Sequence, residues 1–117
     1  MCQLLVVDDD EMVRESASAL LAMLGHQIIQ AKNGLEAVII YLAKHDRIQL
    51  IVMDVTMPKM DGITATRAIK KEFPSAKVIL MSGHSDQLIP EEADSFLLKP
   101  FNFKDLREKV EQVLAMA

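Results

Sequence analysis

A chain of 117 residues, half of them hydrophobic and 26% charged, fits one domain with its own core and excludes a disordered polymer. Its 13 Lys and Arg against 17 Asp and Glu leave a net charge of −4 with no basic cluster, which argues against direct binding of nucleic acid. No apolar run approaches the ~20 residues of a membrane helix, and the single cysteine, Cys2, excludes an internal disulfide. An apolar strand follows Met1-Cys2-Gln3 at once, which leaves no room for a signal peptide; with one reduced thiol, the expected location is the cytoplasm. The eight methionines read as gap-fillers of the core.

Leu4-Leu5-Val6-Val7 reads as a buried strand that ends on Asp8-Asp9-Asp10. A helix follows, with Val13, Ala17, Leu20, Leu21 and Leu24 on one face, Asp9 or Asp10 as its cap and Gly25 at its close. Gln27-Ile28-Ile29-Gln30-Ala31 is a short second strand, and Asn33-Gly34 the turn after it. The helix over residues 35–44 is apolar nearly all round. Val38, Tyr41 and Leu42 are assigned to the sheet, which leaves Ile39 and Ile40 as either extra core or a contact patch.

Leu50-Ile51-Val52-Met53 is a third strand, apolar on both faces, which delivers Asp54 and then turns at Pro58. Asp61-Gly62 opens a helix carrying Thr66, Ile69 and Phe73, stopped by Pro74. A fourth strand, Lys77-Val78-Ile79-Leu80-Met81, ends on Ser82-Gly83. Residues 85–94 are irregular, with one turn of helix at most, because Pro90 removes a donor and biases Ile89 away from helix. Phe96-Leu97-Leu98 is a fifth strand ending on Lys99-Pro100. The last helix starts after Asn102, with Asp105 as capping partner and Leu106, Val110, Val113 and Leu114 as its stripe. Strands alternating with helices at this spacing predict a parallel sheet with right-handed crossovers, in one α/β domain over residues 1–117.

Ligands of such sheets bind at the carboxyl ends of the strands. Strand one delivers Asp8 and Asp9 there, strand three Asp54, strand four Ser82 and strand five Lys99. Each alone has a plain reading as a cap, a turn or a solvated lysine, and Asp10 is read as a cap. Together they are the groups that phosphoryl chemistry uses. Clustered carboxylates repel unless a cation compensates them, and an all-oxygen set suits Mg²⁺ or Mn²⁺ rather than zinc. With a metal between Asp9 and Asp54, one oxygen of Asp54 stays available as a nucleophile toward phosphorus. Lys99 would neutralise phosphoryl charge, and Ser82 would donate to a phosphoryl oxygen. No glycine-rich phosphate loop is present, so the phosphoryl donor is expected to be another protein or a small reactive phosphate.

The ordered set Val7-Asp8-Asp9-Asp10, Met53-Asp54-Val55-Thr56-Met57-Pro58, Met60-Asp61-Gly62, Met81-Ser82-Gly83 and Phe96-Leu97-Leu98-Lys99-Pro100-Phe101 resembles the receiver domain of two-component response regulators. The resemblance runs essentially end to end. It implies a flavodoxin-like (βα)5 three-layer sandwich with strand order 2-1-3-4-5, here with a shortened or irregular fourth helix. It implies Asp54 as phosphoacceptor and a histidine kinase or histidine phosphotransfer domain as donor. Mg²⁺ would be held by Asp9, Asp54 and the backbone carbonyl of Thr56, with Asp8 acting through water. Ser82 would be the switch hydroxyl, Lys99 the phosphoryl partner through a cis peptide to Pro100, and Phe96 the aromatic switch. The chain would be a phosphoacceptor with only self-phosphorylation and self-dephosphorylation of its own, a monomer or weak dimer, with an output partner still to be named.

Thr56 stands where the family often has asparagine, and His84 lies near the path of attacking water. Sixteen residues separate Ser82 from Lys99, fewer than the family's usual helix needs, as in receivers attached to hybrid sensor kinases. Residues 85–94 are expected to be the part that moves on phosphorylation. Three other readings share parts of this pattern. A pure interaction module would keep the fold without modification. A phosphohydrolase would want an acid where Thr56 stands, and a flavodoxin-type carrier would be opposed by the acidic first loop.

Overall fold

The computed structural model describes residues 3–83 and 89–116. Its elements run β1 (Gln3–Val7), α1 (Glu11–Met23), β2 (Gln27–Ala31), α2 (Gly34–Lys44), β3 (Ile48–Asp54), α3 (Gly62–Glu72), β4 (Val78–Ser82), β5 (Ser95–Leu98) and α4 (Phe103–Leu114). All five strands are parallel, in the order β2-β1-β3-β4-β5. The apolar runs of the sequence are the three central strands, whose side chains are almost all buried, while β2 and β5 form the edges. His84, Ser85, Gln87 and Leu88 lie outside the described residues.

Alternation along the strands builds two cores. Leu5, Val7, Ile51, Met53, Val78 and Leu80 face α2 and α3 and meet Ala37, Tyr41, Ala65 and Ile69 there. Leu4, Val6, Leu50, Val52, Ile79 and Met81 face the other way, toward Ala17 and Leu21 of α1 and Leu106, Val110 and Val113 of α4. The result is helix, sheet, helix, in three layers. No helix among the described residues is long and apolar enough to cross a membrane.

Helix starts follow local chemistry. Asp10 caps α1 by accepting from the amides of Met12 and Val13, Asn33 caps α2 and Asp61 caps α3. Asn102 and Asp105 form a reciprocal capping box on α4. Gly25, at φ 94°, turns the chain out of α1, so the expected closure is found there.

Helix α2 differs from its sequence reading. Leu42 is not on the sheet side; Leu35, Ile39 and Leu42 line the solvent face, and the small Ala37 packs with Tyr41 inside. Ile40 is partly buried against the core, whereas Ile39 is 59% exposed. Between β4 and β5, the described residues 89–94 contain no helix. Ala93 closes a turn onto the Pro90 carbonyl, and Ile89 and Ala93 pack against the core beside α3. Asp94 is anchored rather than loose: its Oδ2 accepts from Lys70 Nζ and from the Val78 amide, each at 2.8 Å. The end of this segment is thereby tied to α3 and β4.

Candidate functional site

The site forms where β1, β3, β4 and β5 end side by side. Val7 stands opposite Met53 in register, so Asp8, the next residue of β1's chain, leaves the sheet beside Asp54. Asp54 stands opposite Met81, and Ser82 follows as the last residue of β4. Ser82 in turn faces Leu98, and the Lys99 amide donates to the Ser82 carbonyl at 2.7 Å. Residues remote in the chain are thus neighbours because a parallel sheet brings successive carboxyl ends to one edge. The peptide between Lys99 and Pro100 is cis, as expected.

Asp8, Asp54 and Ser82 are buried, while Asp9 is exposed at the rim. Carboxylate oxygens of Asp8, Asp9 and Asp54 lie within 4.8 Å of one another. The Lys99 ammonium reaches into this cluster, 2.9 Å from Asp8 Oδ2 and 3.1 Å from Asp54 Oδ1. Among the described residues, this ammonium thus pairs with two members of a cluster of three carboxylates. Burial pushes the Asp54 carboxyl above the usual carboxylate range; repulsion from Asp8 and Asp9 adds to this, and the bonded Lys99 only partly opposes it. Burial works against the Lys99 charge, but its bond to Asp8 and the charges of Asp54 and Asp8 outweigh it and hold its pKa above the ordinary lysine value.

This excess of buried negative charge is what a divalent cation would neutralise. The donors are all carboxylate oxygens, the set that suits a hard ion such as Mg²⁺, so the residues fit one. Thr56 sits in the exposed turn just past β3, on the same edge. Phe96 lies opposite Leu80 on β5, with its ring half exposed on the α3 side of the sheet.

Two glycines that the sequence marked only as breaks allow close backbone approaches, one of them directly beneath the site. A methyl group on Gly62 would run into the backbone carbonyl of Asp54, and one on Gly34 would strike the carbonyl of Met60. Gly62 also donates its amide to the Val55 carbonyl at 2.8 Å. Helix α3 can therefore start pressed against the residue that carries the central carboxylate. The Asp-Gly pair signalled a helix start, but this close approach depends on tertiary packing that no local pattern encodes.

Comparison with known proteins agrees with this geometry. Residues 4–111 match the family model described as the response regulator receiver domain. The chain is 34% identical over 98% of its length to a probable transcriptional regulator, ycf27, of Porphyra purpurea, and spans 48% of that protein. It is 34% identical over 94% of its length to the sensor kinase CckA of Brucella abortus, of which it spans 12%. Among solved structures, the response regulator TrrA of Thermotoga maritima, in complex with Mg²⁺ and beryllium fluoride, superposes with a TM-score of 0.89 at 34% identity, covering 97% of this chain and 99% of that one. The chain spans about half the length of the ycf27 regulator, yet the match takes in every strand and the whole acidic edge. The chain belongs to the response regulator receiver domains, the phosphoacceptor switches of two-component signalling.

Proposed function

We propose that residues 1–117 work as a single receiver domain in which Asp54 accepts a phosphoryl group from a phosphohistidine on a histidine kinase or phosphotransfer domain in the cytoplasm. The observation that carries this reading is the Lys99 ammonium bridging Asp8, 91 residues away in sequence, and Asp54, at 2.9 and 3.1 Å. In the transfer, a carboxylate oxygen of Asp54 bonds to phosphorus as the P–N bond breaks. The imidazole leaves with that electron pair and takes a proton from solvent. Asp9, Asp54 and the Thr56 carbonyl would hold Mg²⁺, with Asp8 behind them. When bound, the ion supplies charge neutralisation between the carboxylates and the incoming phosphoryl oxygens.

The chain's own groups do the rest. Lys99 is already inside the cluster and can follow the new charge from Asp54 to a phosphoryl oxygen without crossing solvent. Ser82, buried on the adjacent strand, would turn its hydroxyl toward the same group. These contacts exist only in the modified state, so they favour whichever conformer allows them, by about 1–3 kcal/mol. Phe96 is the group through which the change would reach the surface, because its ring is half exposed and it stands on β5 opposite Leu80, three residues before Lys99. The same carboxylate geometry would support self-phosphorylation from small phosphodonors and slow self-hydrolysis, with no other turnover. Output then passes to a partner or to an attached domain.

Beryllium fluoride, a mimic of the acyl phosphate, tests this reading. Added with Mg²⁺ to isotope-labelled protein, it should shift the amides of Asp9, Asp54, Ser82, Phe96 and Lys99 together. Shifts confined to Asp9 and Asp54, with Ser82 and Phe96 unmoved, would leave an ion site without a switch and defeat the proposal.

A further inference from the structure

The side chain of Arg14 binds the backbone of the acidic cluster from behind. Arg14 lies in the first turns of α1, and its Nη1 donates to the carbonyl oxygen of Asp8 at 2.9 Å. Its Nε donates to Gln30 Oε1 on β2, also at 2.9 Å. One planar guanidinium therefore joins α1, the end of β1 and the edge strand β2, and two bonds from one rigid fork fix its plane.

The acceptor matters more than the bond. The Asp8 carbonyl belongs to the peptide that links Asp8 to Asp9, and that unit is planar. Holding its oxygen fixes the direction in which its N–H, and with it Asp9, departs from Asp8. Asp8 is otherwise tied on every side: its amide donates to the Ala31 carbonyl at 3.2 Å, Oδ1 accepts from the Asp10 amide at 2.9 Å, and Oδ2 accepts from Lys99 at 2.9 Å. Asp9 is the exposed member of the cluster. The orientation of the peptide before it thus bears directly on where its carboxylate stands.

We propose that Arg14 is a positioning residue for the acidic cluster: by holding the Asp8–Asp9 peptide plane it sets the separation of the two carboxylates, and so the affinity of the site for a divalent cation. The inference rests on the cation-binding reading of Asp8, Asp9 and Asp54 given above. It has a sign that simple electrostatics does not share. Removing a positive charge near three carboxylates would by itself tighten cation binding, whereas loss of a positioning bond loosens it.

Mg²⁺ titration by calorimetry, on the wild-type chain, Arg14→Ala, Arg14→Lys and Gln30→Ala, separates these effects. Arg14→Ala should weaken Mg²⁺ binding about tenfold, the scale on which groups that orient metal ligands act. Labelling by acetyl phosphate at saturating Mg²⁺ should recover to within about twofold of wild type, as expected when only binding is impaired. Arg14→Lys keeps the charge but cannot span both acceptors, and Gln30→Ala frees one arm of the fork; both should fall between wild type and Arg14→Ala, and both report even if Arg14→Ala fails to fold. Wild-type or tighter Mg²⁺ binding in all three variants would overturn the positioning role alone. A wild-type chain that binds no Mg²⁺ would overturn the cation reading and this inference with it.

Discussion

The α-carbon of Gly62 faces the backbone carbonyl of Asp54 with no room for a methyl group between them. The start of α3 and the end of β3 are therefore packed backbone to backbone, under the central carboxylate of the site. Gly62→Ala should lower stability by about 1–3 kcal/mol, the usual cost of forcing added volume into a packed region. The loss should appear despite the gain in helix propensity that alanine brings. Urea unfolding followed by circular dichroism measures it, and a midpoint at or above wild type would show that the β3–α3 turn gives way freely.

A carboxyl raised above its ordinary range works against the folded state at neutral pH, and Asp54 is such a group. It is buried, repelled by Asp8 and Asp9, and only partly compensated by Lys99, which also serves Asp8. Asp54→Asn keeps the shape and removes the charge. In EDTA at neutral pH this variant should be more stable than wild type by about 1 kcal/mol, within the range seen when functional strain is relieved. Equal or lower stability would mean that Lys99 already balances the cluster.

Among the described residues, two ion pairs tie the stretch 89–94 to α3, and they should differ in worth. Lys70–Asp94 is a 2.8 Å pair with side chains only 15% and 12% exposed, and Asp94 also accepts the Val78 amide. Arg67–Glu92 is longer, 3.4 Å, and open to solvent. Asp94→Ala leaves a lysine and an amide without their acceptor and should cost about 1–3 kcal/mol. Glu92→Ala should cost less than about 0.5 kcal/mol. Equal effects would mean that the anchor at Asp94 does not fix the segment.

Tyr41 should contribute to the loss of stability at alkaline pH. It is the only tyrosine, there is no tryptophan, and burial raises its phenol above the ordinary value. The folded chain keeps that proton at pH values where the unfolded chain has lost it, so the contribution is complete below the ordinary phenol pKa and is lost as pH climbs toward the folded one. Phenolate absorbance of the native protein should appear at higher pH than in the unfolded chain. Tyr41→Phe, which keeps the ring packed 5.7 Å from Phe73, should lose this part of the alkaline fall in stability. Coincident titration of the native and unfolded chains would show the hydroxyl to be solvated.

The parts of this fold that the sequence made plain are those where one physical cause acts locally. Central strands show as unbroken apolar runs because both faces are covered, and caps show because Asp10, Asp61 and Asn102 satisfy amides within three residues. The acidic edge followed from those strands, since their carboxyl ends meet in a parallel sheet. Helix α2 was misread at Leu42 because a helix apolar nearly all round has no single face to choose, and the choice fell to how Ala37 and Tyr41 fit the sheet. The Gly62 contact, the Asp94 anchor and the Arg14 fork depend on which elements meet in space, and no spacing announces them.

The most direct test is to locate the phosphoryl group by residue. The chain, incubated with Mg²⁺ and acetyl phosphate, should gain one phosphoryl mass, and fragmentation after trapping of the acyl phosphate should place it on Asp54. Asp54→Asn should gain none. Phosphate found on Asp8 or Asp9 of the wild-type chain, or labelling undiminished in Asp54→Asn, would contradict the account.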